Sequence, residues 1–198
     1  HTENFAVVYR TLLAAGGALA ATGLAPGGLT RALAQGKSGG TLTCAWAGVA
    51  EIVTLDPGQM TQVLQFQITS NVLSGLTHIK PDLIAEGDLA ESWEISEDGL
   101  VYTFKLREGV TFHNGDAFTA DDVLYTYARS SDAAKSIHSA NLSNVASLDK
   151  LSDHEVRFTL KAPQASFLTK TTERASGRVL SIVSKRALDE MGDAAYGL

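Results

Sequence analysis

Cysteine is almost missing from this chain of 198 residues, where Cys44 stands alone. A single thiol excludes an internal disulfide, and without partners at ligand spacing it excludes a cysteine-based metal site. Basic clusters are missing as well. Sixteen Lys and Arg face 22 Asp and Glu, a net charge of −6, which excludes an electrostatic grip on nucleic acid. There are only four prolines and 7% aromatics, while apolar residues make up 44% and the mean hydropathy is +0.03. That balance excludes a disordered tail, a collagen-like fibre and a polytopic membrane protein. What is left is a soluble globular chain of one domain or two small ones. It starts at His1 rather than Met, which reads as the start of a fragment.

What the first third does contain is an apolar Ala/Gly/Leu-rich run over residues 11–34, following Arg10 and closing on Ala32-Leu33-Ala34. A positive residue, an apolar stretch and small residues before a cleavage point are the order of a secretory signal. The run is too short and too rich in glycine for a membrane span. The rival reading, a buried Ala-rich helix, is weakened by those glycines and by Pro26. Residues 1–34 are therefore expected to be a signal peptide. Tyr9-Arg10-Thr11-Leu12-Leu13 resembles a twin-arginine signal lacking its first arginine, which leaves the export route open. Losing Arg10, Arg31 and Glu3 leaves 14 basic and 21 acidic residues, a net of −7 over 164 residues.

Along residues 35–198 the patterning predicts a mixed α/β (α+β) fold. Thr41–Trp46 reads as a first strand and Leu55-Asp56-Pro57-Gly58 as a turn. Apolar residues at near-helical spacing predict a helix over Thr61–Leu73. The clearest signal is a hairpin: Trp93 and Ile95, then a turn at Ser96-Glu97-Asp98-Gly99, then Tyr102, Phe104 and Leu106 on one face. Thr119 is a candidate N-cap with Asp122 as the acid of a capping box, opening a helix through Val123, Leu124, Tyr127 and Ala128. Val145–Leu148 and His154–Lys161 predict a second hairpin across Asp149–Asp153. Ala165–Arg174 reads as a helix, Val179–Val183 as a short strand, and Ser184 as the cap of a last helix reaching Met191. Hairpins with interspersed helices favour α+β over a β-α-β barrel.

Few residues offer chemistry. His113-Asn114-Gly115-Asp116 has the residue types of a metal or acid–base cluster, but no second His-rich motif supplies the further ligands, and Asn-Gly is a turn signal. Asp121-Asp122 are adjacent and point about 100° apart on a helix, where an N-terminus favours negative charge. Asp153-His154 lacks a G-x-S-x-G partner, and His154 falls on the predicted strand. No catalytic residue, no metal ligand and no cofactor site is predicted.

Specific motifs then accumulate in one order: Gly40-Thr41-Leu42, Leu55-Asp56-Pro57, Leu89-Ala90-Glu91-Ser92-Trp93, Glu97-Asp98-Gly99, Tyr102-Thr103-Phe104, Leu106-Arg107, Gly109-Val110, Phe112-His113-Asn114-Gly115, Thr119-Ala120-Asp121-Asp122-Val123, Val156-Arg157-Phe158-Thr159-Leu160 with Pro163, Val183-Ser184-Lys185, and Gly192-Asp193. Across residues 39–198 the chain resembles the family 5 extracytoplasmic solute-binding proteins of ABC importers for peptides and nickel. Asp88 and Ala117 stand where that family commonly has proline. The resemblance implies a periplasmic-binding-protein-like type II fold, two-lobed and closing like a hinged clamp. Residues 35–198 would be its N-terminal portion, incomplete without the second lobe.

The resemblance further implies a monomeric periplasmic carrier. It would take a peptide or another small solute, with ABC permease membrane subunits as partners, no nucleic acid and no enzymatic activity. It places the chain leaving the first strand, and the turn into the next helix, at the cleft. Trp46 would stack on ligand there, Glu51 pair with an amine, Met60 give apolar contact, and Thr61 and Gln62 hydrogen-bond. The bland alternatives are core packing for Trp46 and a solvated loop charge for Glu51. Nickel complexes, oligosaccharides, opines and haem stay open as ligands. Rival functions are an exported hydrolase, which needs His113 or His154 beside an acid and a nucleophile, and a sensory binding protein that docks a receptor.

Overall fold

Alternation between apolar and polar residues makes Val101–Leu106 and Glu155–Leu160 the central strands of a sheet. Tyr102, Phe104 and Leu106 are buried on the first, and Val156, Phe158 and Leu160 on the second. The computed structural model describes residues 52–172, 180–193 and 196. The predicted signal peptide, the predicted strand 41–46 and Cys44 lie outside these.

The described residues run in the order α1 (Val63–Thr69), β1 (Thr77–Ile79), β2 (Ala85–Gly87), β3 (Ala90–Ile95), β4 (Val101–Leu106), α2 (Ala120–Ser131), β5 (Val145–Ser152), β6 (Glu155–Leu160) and α3 (Lys185–Met191), with 3-10 turns at Ser139–Leu142 and Phe167–Lys170. β1 and β2 pair alone, and the other four form an antiparallel sheet in the order β3-β4-β6-β5. The register sets Tyr102 opposite Phe158 and Phe104 opposite Val156, so the apolar faces of the two central strands coincide. Both outer strands are irregular, with register shifts between Ala90 and Ser92 on β3, and between Val145 and Ser147 and between Lys150 and Ser152 on β5.

Aromatic rings fill the core. Phe158 meets Phe104 edge-on at 5.8 Å, Tyr127 of α2 at 6.1 Å and Phe167 at 5.4 Å between ring centroids. Burying each such side chain is worth about 1.5–3 kcal/mol. α2 begins at the predicted cap: the Asp122 carboxylate accepts the Thr119 N–H at 3.0 Å. Its other oxygen accepts the Lys185 N–H at 3.0 Å, which ties the start of α2 to the start of α3. α3 opens as predicted, with Ser184 Oγ accepting from the Ala187 N–H at 3.1 Å.

Several boundaries differ from the sequence reading. The helix predicted over Thr61–Leu73 stops at Thr69, whose hydroxyl bonds back to the Gln65 carbonyl at 2.9 Å, and Ser70 follows as C-cap. The segment Asp149–Asp153 is mostly strand rather than turn, because β5 continues to Ser152. His154 therefore sits in the tight turn before β6 and not on the strand. Between 165 and 172 only the 3-10 turn Phe167–Lys170 forms, and Leu180–Val183 run buried without strand pairing. The Ile182 N–H donates to the Ser74 carbonyl at 2.8 Å and the Val183 N–H to Thr126 Oγ1 at 3.1 Å, so single bonds replace a ladder.

The β1–β2 hairpin went unpredicted. Its turn exposes Leu83 (82%) in a left-handed conformation, φ 67°, next to the exposed Ile84. Gly87 on β2 passes so near the Ala90 carbonyl oxygen that a Cβ there would collide with it. Among the described residues no helix is long and apolar enough to cross a membrane.

Candidate functional site

Three of the predicted ligand contacts fall in the loop leading into α1, and polar bonds hold that loop almost atom by atom. Its first fixed point is Asp56. The carboxylate accepts the Gly58 N–H at 2.9 Å, an Asx turn that uses Pro57 at its corner. The Asp56 carbonyl accepts the N–H groups of Gln59 and Met60 at 3.0 and 3.1 Å. Arg129, in the last turn of α2, then grips the carboxylate with both terminal nitrogens, at 2.8 and 2.6 Å. Both side chains are buried, 6% exposed for Arg129 and 5% for Asp56.

The guanidinium is itself enclosed. Its Nε donates to Asp193 at 3.1 Å, and Asp193 also takes Lys135 at 2.9 Å. The Tyr196 ring centroid lies 5.8 Å from the guanidinium carbon. Burial alone would lower the Arg129 pKa; the hydrogen bonds and charges of Asp56 and then Asp193 more than offset this and raise it. The Lys135 and Arg129 donors hold the Asp193 carboxyl below its ordinary value. Burial pushes the Tyr196 hydroxyl up to about 12.

The middle of the loop lies against the segment that follows α2. Gln59 Nε2 donates to the Lys135 carbonyl at 2.6 Å, the Ile137 N–H donates to the Gly58 carbonyl at 3.0 Å, and His138 Nε2 lies 3.0 Å from the Met60 carbonyl. A Cβ on Gly58 would stand 3.0 Å from the Lys135 carbonyl oxygen and 3.1 Å from Arg129, so only glycine fits without displacement. The far end is fixed by Gln65, 1% exposed. Its Oε1 accepts the N–H groups of Thr61 and Gln62 at 3.0 and 2.8 Å, and its Nε2 donates to the Thr54 carbonyl at 2.8 Å.

The predicted residues separate on this geometry. Thr61 is exposed, and Gln62 is half-buried at the N-cap of α1, where it forms a capping box with Gln65. Met60 is only 2% exposed, and its sulfur lies 3.6 Å from the Thr69 hydroxyl, so it packs in the interior. Trp46 and Glu51 lie outside the described residues. Asp56, Gln65 and Arg129, which fix the loop, were not predicted as site residues. Asp56 was visible as a turn residue and within the motif Leu55-Asp56-Pro57, and nothing local marks Gln65 or Arg129.

Other chemistry-bearing side chains lie elsewhere. His113 is exposed, at the rim of an apolar cleft of about 120 Å³ lined by Val72, Leu89, Val110, Phe112 and Phe118. Gly115, φ 89°, confirms the Asn-Gly turn. The His154 carbonyl accepts the Leu106 N–H at 2.8 Å, and its Nδ1 is buried without a hydrogen bond. Among the described residues no three His, Cys, Asp or Glu side chains are grouped to hold a metal ion.

Comparison with known proteins places this geometry in context. The model for "Bacterial extracellular solute-binding proteins, family 5 Middle" matches residues 85–191. Di/tripeptide-binding protein 2 of Pseudomonas aeruginosa (strain UCBPP-PA14) is 42% identical over 98 residues, 40% of this chain and 18% of that protein. Two solved structures align over 71% of the chain. MoaA of A. tumefaciens R10, in complex with mannopinic acid, has a TM-score of 0.64 at 33% identity; this chain covers 29% of it. DppA of Helicobacter pylori, an ABC transporter-associated periplasmic binding protein in complex with the peptide STSA, has a TM-score of 0.60 at 31% identity; this chain covers 30% of it. The chain thus spans less than a third of the length of each.

Proposed function

Because this chain belongs to the family 5 bacterial extracellular solute-binding proteins, we propose that it forms part of the substrate-binding component of an ABC importer whose solute is peptide-like. The family is one of non-enzymatic binding proteins with the type II periplasmic-binding fold, and the mixed α/β architecture here is the corresponding part of it. In the proposed role the complete protein captures a short peptide outside the cytoplasmic membrane, closes on it as a monomer, and delivers it to the permease. Residues 1–34 direct its export to the periplasm.

The observation that carries the peptide reading is the 42% identity to a protein named for di- and tripeptide binding, supported by the peptide complex of DppA. The loop before α1 fits this chemistry. Thr61 and Gln62 offer hydroxyl and amide groups to a peptide's main chain, which accepts varied side chains without a dedicated pocket for each. Trp46 and Glu51 are assigned the stacking and amine-pairing roles, and Met60 a packing role that supports the loop.

Calorimetry on the full-length gene product tests the assignment. Titration with a panel of di- and tripeptides is expected to show saturable binding near micromolar, about −8 kcal/mol. Saturation by mannopinic acid or a nickel–histidine complex, with no heat from any peptide, overturns it.

A further inference from the structure

We propose that the buried Asp56–Arg129 pair is a positioning device for solute binding, holding the loop before α1 so that Thr61 and Gln62 meet the ligand in one fixed geometry. The inference rests on the reading above that Thr61 and Gln62 contact solute. Its basis is the way the contacts converge on this loop. Asp56 and Arg129 are 73 residues apart, yet they form a two-point grip on one carboxylate. That grip resists rotation, which a single hydrogen bond would allow. The same carboxylate orients Gly58, and residues 58–60 are bonded along the chain just beyond α2 through Lys135, Ile137 and His138.

From the other side, Gln65 fixes the backbone of Thr61 and Gln62 directly. Only Gln59 and Met60 separate the two anchors, so the loop has little freedom left. The exposed residues that follow it inherit this rigidity. A buried ion pair is often no more stabilising than apolar side chains of similar size, so stability alone is a weak reason for placing one here. Orientation is what apolar replacements would not reproduce. Outer-shell contacts that orient a metal site's ligands are worth about ten- to a hundredfold in affinity, and the loss expected here is taken at the low end of that range.

The test uses the full-length protein and compares peptide affinity with thermal stability. The double variant Asp56→Leu/Arg129→Met removes both charges while keeping apolar bulk. It is expected to fold with α2 and the sheet protected from hydrogen exchange, to lose protection at the Gly58, Thr61 and Gln62 amides, and to bind peptide about tenfold more weakly. A folded double variant with wild-type affinity overturns the proposal. Should that variant not fold, Arg129→Lys keeps the charge but not the two-point grip, and wild-type affinity there overturns it equally. The pair Thr61→Ala/Gln62→Ala separates the two ideas. If this pair leaves affinity unchanged, the contact reading fails; if it weakens binding while the ion-pair variants do not, the positioning role alone fails.

Discussion

The sheet with α2 and the loop before α1 are stabilised by opposite means. In the sheet, Phe104, Val156 and Phe158 are fully buried and interact without direction beyond their ring geometry. The loop is held instead by its own Asp56 together with Gln65 of α1 and Arg129 of α2, all buried, through directed bonds that must all be satisfied together. An apolar core tolerates small shifts, whereas a buried polar network fails sharply when one member is removed. One region supplies stability, and the other supplies definition at a surface.

The largest effect should come from leaving one charge of the loop alone. Arg129→Met strands the Asp56 carboxylate in the interior and is expected to cost about 3–5 kcal/mol in urea unfolding. Replacing both partners by apolar residues should recover most of that loss, and an equal loss in the double variant would mean that the pair itself stabilises. In the sheet, Phe158→Ala should also cost about 3–5 kcal/mol, but with no recovery from any single neighbouring change. Gly87→Ala forces β2 away from the Ala90 carbonyl and should cost about 1–3 kcal/mol, read as a lower urea midpoint. Ser184→Ala, which removes only the cap of α3, should cost about 1 kcal/mol.

The smallest effect is acid sensitivity. Asp193 has a lower pKa folded than unfolded, so the stability it contributes is complete above its unfolded value, about 3.9. That contribution is lost as the pH falls through the folded value. Urea midpoints of the wild type and of Asp193→Asn should therefore converge on acidification below about pH 4. Parallel curves would remove Asp193 from the network.

Legibility followed the same division. Tyr102-Thr103-Phe104 and Val156-Arg157-Phe158 announce their strands because alternation is a local pattern, and Thr119 with Asp122 announces a helix start for the same reason. The motifs spread over residues 39–198 also pointed to the right family. The β1–β2 hairpin was not legible, since three-residue strands with exposed Leu83 and Ile84 carry no alternation to read. Nor was the loop network: Asp56 and Arg129 meet only after the chain has folded. Thr61 and Gln62 were correctly placed at a helix start, but Met60, between them and the turn, was drawn inward by its apolar side chain.

The irregular outer strands bear on how this sheet avoids other chains. Among the described residues β3 and β5 are the outer strands of the sheet, and unpaired backbone groups on an outer strand could template a neighbour's strand and seed aggregation. Both strands are irregular where they pair inward, and β3 adds exposed Glu91 and Glu94 beside its exposed Ile95. A second molecule approaching edge-on would meet a kinked ladder, the Glu94 carboxylate and the Glu91–Lys105 ion pair at 3.3 Å. The irregularity at Ala90–Ser92 is thus of the kind that discourages edge-to-edge pairing as well as shaping the strand.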